Sequence, residues 1–121
     1  MLQSAEVKNM RYPKLVPPAV CRTPIHLVIE QEGYNKYGDP IEAFEADLKC
    51  NYQDSGKVQL TTQQEYVRIS GKALFDGDIC PNVPNITKGY AIIHEEKRYI
   101  AEGRKHRNPD GSVNYTEVVF R

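Results

Sequence analysis

The side chains best suited to bind a metal or attack a substrate are three histidines, His26, His94 and His106, and three cysteines, Cys21, Cys50 and Cys80. They are widely scattered. No Cys-x-x-Cys and no His-Glu-x-x-His occurs, so the spacing that lets neighbouring turns or a knuckle close around zinc is missing. There is likewise no glycine-rich phosphate loop and no Gly-x-Ser-x-Gly turn to expose a serine. A cysteine becomes a nucleophile when a base or a positive charge favours its thiolate, and no residue stands out as a base for Cys50, which reads as a small buried hydrophobe. Asp76 and Asp78 resemble a calcium-ligand pair, but no further carboxylates follow at loop spacing, so they read as solvated turn residues. The residue types therefore point away from an enzyme and from a cofactor-binding protein.

Charge is balanced, with 16 basic and 16 acidic residues, yet unevenly placed. Residues 30–47 hold Glu30, Glu32, Asp39, Glu42, Glu45 and Asp47 against Lys36, whereas residues 97–107 hold Lys97, Arg98, Arg104, Lys105 and Arg107 against Glu102. Two solvated faces would explain this. So would a complementary pair of surfaces, on one molecule or between identical neighbours. The tyrosines Tyr90, Tyr99 and Tyr115 beside Arg98, Arg104, Lys105 and Arg107 could stack single-stranded nucleic acid, while the neutral net charge favours sheet-face packing for them. Residues 1–20 lack an apolar core and are broken by Pro13, Pro17 and Pro18, so no signal peptide is expected and the thiols read as those of a cytoplasmic product. No apolar run reaches membrane-spanning length, and no membrane partner is expected.

The elements that must position these residues are strands. Residues 1–23, with three prolines and no periodicity, read as an extended arm, either disordered or docked on a neighbour. The barrel domain is then residues 24–121, of a size that buries roughly two thirds of its unfolded surface. "IHLVIEQ" (25–31) is the first core strand, and 32–40 a turn region. At 41–52 a helix-cap signal at Asp39-Pro40 competes with alternation of Phe44, Ala46, Leu48 and Cys50 against Glu45, Asp47 and Lys49; the alternation is stronger and predicts a strand facing the core with its even-numbered residues. Short strands follow at 57–61 and 66–70, the second continuing past a bulge at Gly71 to Leu74. Residues 75–88, "FDGDICPNVPNITK", form a long loop, and long loops in small domains tend to be functional. Strands at 89–94 and 97–107 flank a turn at Glu95-Glu96. The turn Asn108-Pro109-Asp110-Gly111 leads to a last strand at 112–120. Seven or eight short antiparallel strands with long loops and no long helix mean an all-β small single-domain β-barrel or sandwich.

Three stretches, "NYQDSGK" (51–57), "VRISGKALFDGDICP" (67–81) and "KHRNPDGSVNYTEVVF" (105–120), resemble the minor capsid or head-closure proteins of tailed bacteriophages, the stopper-like head–tail connector family. The resemblance covers residues 25–121 and leaves the arm unmatched. It implies a virion protein of the phage neck, made in the bacterial host cytoplasm and needing no cofactor. It also implies a homo-oligomeric ring, hexameric or dodecameric, between the portal–adaptor proteins and the tail proteins, helping to retain packaged DNA with which it would make non-specific contact. On that expectation the ring contacts are Glu30, Glu32, Glu42, Glu45 and Asp47 meeting Arg98, Arg104, Lys105 and Arg107. The loop facing the channel is 75–88, with Asp76, Gly77, Asp78, Asn82, Asn85 and Lys88. The alternative reading is a small nucleic-acid-binding β-barrel.

Overall fold

A computed structural model describes residues 11–54, 58–60 and 66–121. Eight strands follow a single 3-10 turn at Pro18–Val20: β1 Thr23–Tyr34, β2 Pro40–Asp54, β3 Val58–Leu60, β4 Tyr66–Arg68, β5 Gly71–Asp76, β6 Lys88–Ile93, β7 Glu96–Arg107 and β8 Val113–Phe120. Six of them close an antiparallel barrel in the order β1-β2-β5-β8-β7-β6, while β3 and β4 pair only with each other. Closure leaves no free sheet edge around most of the barrel, the usual solution for a small β domain.

Alternation builds the interior. Leu27 and Ile29 of β1, Cys50 of β2, Ala73 and Phe75 of β5, Ala91 and Ile93 of β6, Ile100 of β7, and Thr116, Val118 and Phe120 of β8 are almost completely buried. A six-stranded barrel is narrow enough for such side chains to fill, and each large one stabilises the fold by about 1.5–3 kcal/mol. The period-two reading of β2 holds: Glu45, Asp47 and Lys49 are exposed, Phe44, Ala46 and Leu48 are half-buried, and Cys50 is buried. The cap signal at Asp39-Pro40 instead marks where β2 begins after a tight turn, closed by Asn35 N donating to Asp39 O and Gly38 N to Asn35 O.

Four boundaries differ from the sequence reading. The predicted strand from 66 past a bulge to 74 is two strands serving different sheets. Ile69 leaves the β3–β4 hairpin to pack with Ala101 and Val119 on the barrel's outer side, and β5 then enters the barrel between β2 and β8. The long loop is 77–87, since Phe75 and Asp76 belong to β5 and Lys88 to β6. The β6–β7 turn is His94-Glu95 rather than Glu95-Glu96, and both residues are left-handed (φ 51° and 67°), as a two-residue type I′ hairpin requires.

The fourth concerns the arm. Residues 11–22 lie on the chain's own barrel. Tyr12 N donates to Asn108 Oδ1 (3.0 Å), Leu15 N donates to Asn114 Oδ1 (3.0 Å), and Asn114 Nδ2 donates to Pro13 O (3.0 Å). Arg11 pairs with Asp110, Lys14 with Asp76, and Asn51 Nδ2 donates to Val20 O. The arm thus runs from the β7–β8 turn across β8 and β5 to β2. The Asn108 side chain serves the arm and Asn114 as well as the turn, where its amide donates to Ser112 Oγ (2.9 Å). The turn is closed by Gly111 N donating to Asn108 O, with Gly111 at φ 90°, and by Asp110 accepting from Ser112. Among the described residues no helix is long and apolar enough to cross a membrane.

Candidate functional site: a charged groove at one barrel end

A concavity of about 1000 Å³ opens where β6 and β7 part. The two strands pair only as far as Tyr90 and Tyr99. Beyond that, residues 82–87 run beside β7 with one backbone bond, Gly103 N to Ile86 O (2.9 Å). Continuing that antiparallel register places Pro84 opposite Lys105, and a proline has no N–H to offer, so the ladder stops and a groove remains. Gly103 permits the approach, because a Cβ there would stand 2.6 Å from the Ile86 side chain. One wall is Glu30, Gln31 and Ala43; the other is β7 from Glu102 to Arg107.

The groove gathers residues from both sets expected to be functional: Glu30, Arg104, Lys105 and Arg107 from the charged segments, and Asn82 and Asn85, both exposed, from the loop. They are not equivalent. Lys105 is only 5% exposed; its Nζ donates to Cys80 O (2.8 Å) and pairs with Asp78 (2.9 Å), whose other task is to accept from Cys80 N (3.1 Å). This lysine fastens the loop to β7. Arg104 is exposed and pairs with the buried Glu102 (2.5 Å), and Arg107, also exposed, donates to Gly111 O (2.8 Å). His106 stacks on Tyr115 (centroids 4.3 Å apart) and reaches Glu117 (3.2 Å).

The remaining expected residues lie elsewhere. Glu42, Glu45 and Asp47 are exposed on the outer face of β2, where His26 of β1 sits between Asp47 (2.7 Å) and Glu45 (3.5 Å), and its pKa is raised by the bond to Asp47. The Glu42 carboxyl is raised as well, by its bond to Glu45. The side chain of Glu32 lies outside the described residues. Arg98 is at the opposite barrel end, paired with Glu96 and lying over the Tyr52 ring. Asp76 and Asp78, rather than being solvated turn residues, are ion-paired with Lys14 and Lys105; Gly77 O accepts from Thr116 Oγ1; Lys88 lies over Tyr34. Tyr90 and Tyr99 are a cross-strand pair with Lys97 over both rings. Burial pushes the Cys50 thiol up to about 12 and raises Cys80, leaving both protonated at neutral pH.

Sequence reasoning missed Glu102 and His106 in the groove, and Asn108 and Asn114 beneath the arm. Asn114 carried a readable signal. It shares the inward phase of β8 with Thr116, Val118 and Phe120, and an amide in an apolar phase must find hydrogen-bond partners. Barrel order sorts the outer surface into two halves. One is β6–β1–β2, bearing Glu30, Glu42, Glu45 and Asp47. The other is β5–β8–β7 under the arm, bearing Arg104 and Arg107 together with Arg11, Lys14 and Arg22. Comparison of the chain with protein-family models, curated proteins and solved structures found no match.

Proposed function

We propose that this chain is a structural subunit of a tailed-phage neck, a head-closure or connector protein whose copies form a ring between portal–adaptor and tail and help retain packaged DNA. The observation that carries this reading is the division of one closed barrel into an acidic half, β6–β1–β2, and an opposite basic half, β5–β8–β7 with the arm. A ring needs heterologous contacts, in which one patch of a copy meets a different patch of the next, and complementary charge orients that encounter. The resemblance at residues 51–57, 67–81 and 105–120 gives the assembly its identity. The loop 77–87 is the proposed channel-side element, with Asn82 and Asn85 at its exposed surface.

Charge substitution tests it. Arg104→Gln with Arg107→Glu leaves the monomer folded, because both side chains are exposed and the glutamine amide can still donate to the buried Glu102, and we expect it to abolish incorporation into portal-containing heads, scored by sedimentation and by retention of DNA. Lys105→Glu is the contrasting control. It places a carboxylate against Asp78 and Cys80 O, should lower stability by about 3 kcal/mol, and so acts on the fold. Normal incorporation of the Arg104/Arg107 variant would sink the proposal.

A further inference from the structure

The arm is held by its backbone. Asn108 and Asn114 grip its amides and carbonyls, and of its larger apolar side chains Val16 is buried while Tyr12, Leu15 and Val20 remain 55%, 60% and 44% exposed. Leu15 thus stands 60% exposed on a segment that is clamped in place. Residues 11–22 also carry Arg11, Lys14 and Arg22 and no carboxylate. Arg11 and Lys14 pair with Asp110 and Asp76 yet stay 68% and 65% exposed, so the outward surface is an apolar stripe flanked by exposed cations.

The other half of the barrel carries its complement. A depression of about 380 Å³ lies where β1, β2 and β6 meet, with Pro24, Ile25, Leu48 and the 42%-exposed Ile92 among its lining residues and the exposed Asp47 and Glu95 beside them. His26 and His94 complete the lining. Apolar lining and carboxylates match apolar stripe and cations. In the barrel order, β6 and β1 stand across from β5 and β8, over which Tyr12 to Leu15 pass, so one molecule does not bring that part of its stripe to its own depression, although the arm's far end reaches β2.

We infer that the arm flank of one copy, through Leu15 and its neighbours, packs into the β1–β2–β6 depression of a second copy, giving a head-to-tail contact. The inference rests on the reading of the chain as a ring subunit and names the two faces that meet. A contact of this size is small, so in free solution it is weak and is consolidated by repetition around a ring.

The test uses the intact chain and two variants at exposed positions, Leu15→Asp and Ile92→Asp, each confirmed folded by a dispersed amide spectrum. With wild-type protein, raising the concentration towards millimolar should shift amide resonances on both flanks, around residues 12–20 and around 90–95. Each variant alone should lose those shifts. Labelled Leu15→Asp titrated with unlabelled Ile92→Asp should regain them around residues 90–95 only, because one intact arm and one intact depression survive in the mixture. A symmetric contact would show no such rescue, and absence of rescue overturns the inference, as does a wild-type spectrum that does not change with concentration. These shifts are read without phage components. Failure here leaves the neck reading to the Arg104/Arg107 experiment, and failure of that experiment would not alter the spectra.

Discussion

Residues of one type have different jobs here according to depth. Arg104, Lys105 and Arg107 are nearly consecutive and equally basic in the sequence, yet alternation sends Lys105 inward to Asp78 and Cys80 O and Arg104 outward, and a register shift between His106 and Arg107 leaves Arg107 exposed as well. Asp110 shows the same dependence on surroundings. The Ser112 hydroxyl, Arg11 and the Ser112 amide hold its carboxyl at about 2, below its ordinary 3.8. A depressed carboxylate contributes stability that is present above the unfolded value and is lost as pH falls through the folded one. We therefore expect Asp110→Asn to be less stable than wild type at neutral pH, with the gap closing between about pH 4 and pH 2, as measured by urea unfolding across that range. A constant gap down to pH 2 would show that the asparagine acts through packing alone.

At the scale of elements, turns and bulges decide what the strands present. The β6–β7 hairpin places His94 and Glu95 in the left-handed region, where side chains other than glycine or asparagine are strained. Glu95→Gly should raise stability by about 0.5–1 kcal/mol, visible as an upward shift in the thermal midpoint, since the relieved strain outweighs the added freedom of the unfolded chain. On β7, a register shift between Ile100 and Glu102 marks a bulge that sends Ala101 outward to Ile69 and Val119. β2 was legible because period-two alternation is written into it, and β8 because β-branched and aromatic residues fill both its faces. The break at Ile69-Ser70 was not, because apolar residues packing outside the barrel look like residues packing inside it. The left-handed turn at His94-Glu95 was hidden for a similar reason, carrying neither of the residues that announce such turns.

For the whole molecule, an all-β barrel or sandwich followed from strand count and turn spacing, whereas the choice of a closed barrel and the groove did not. The groove depends on where β6 and β7 stop pairing, a fact about two segments and the proline at 84 that no single stretch displays. The charge imbalance between residues 30–47 and 97–107 was visible early, but its meaning required the barrel order, which sets the two segments on different halves. The arm's place was beyond reach from its own residues, because its partners, Asn108 and Asn114, lie almost at the other end of the chain.

That last feature bears on how the molecule is made. Residues 11–16 leave the ribosome long before Asn108 and Asn114 exist, while β1 finds β2 at once and its other neighbour, β6, only after sixty residues or so. Contacts distant in sequence form slowly. We therefore expect the earliest described segment to be fixed last, after the final strand is in the barrel. Pulsed hydrogen exchange during refolding should protect the Tyr12 and Leu15 amides in the slowest phase, after those of the β1–β2 hairpin. Protection of both at the same rate would mean that the arm is captured before the barrel closes. Either order would date the moment at which the Tyr12–Val20 surface comes to exist, and with it the earliest point at which one finished copy could recognise another.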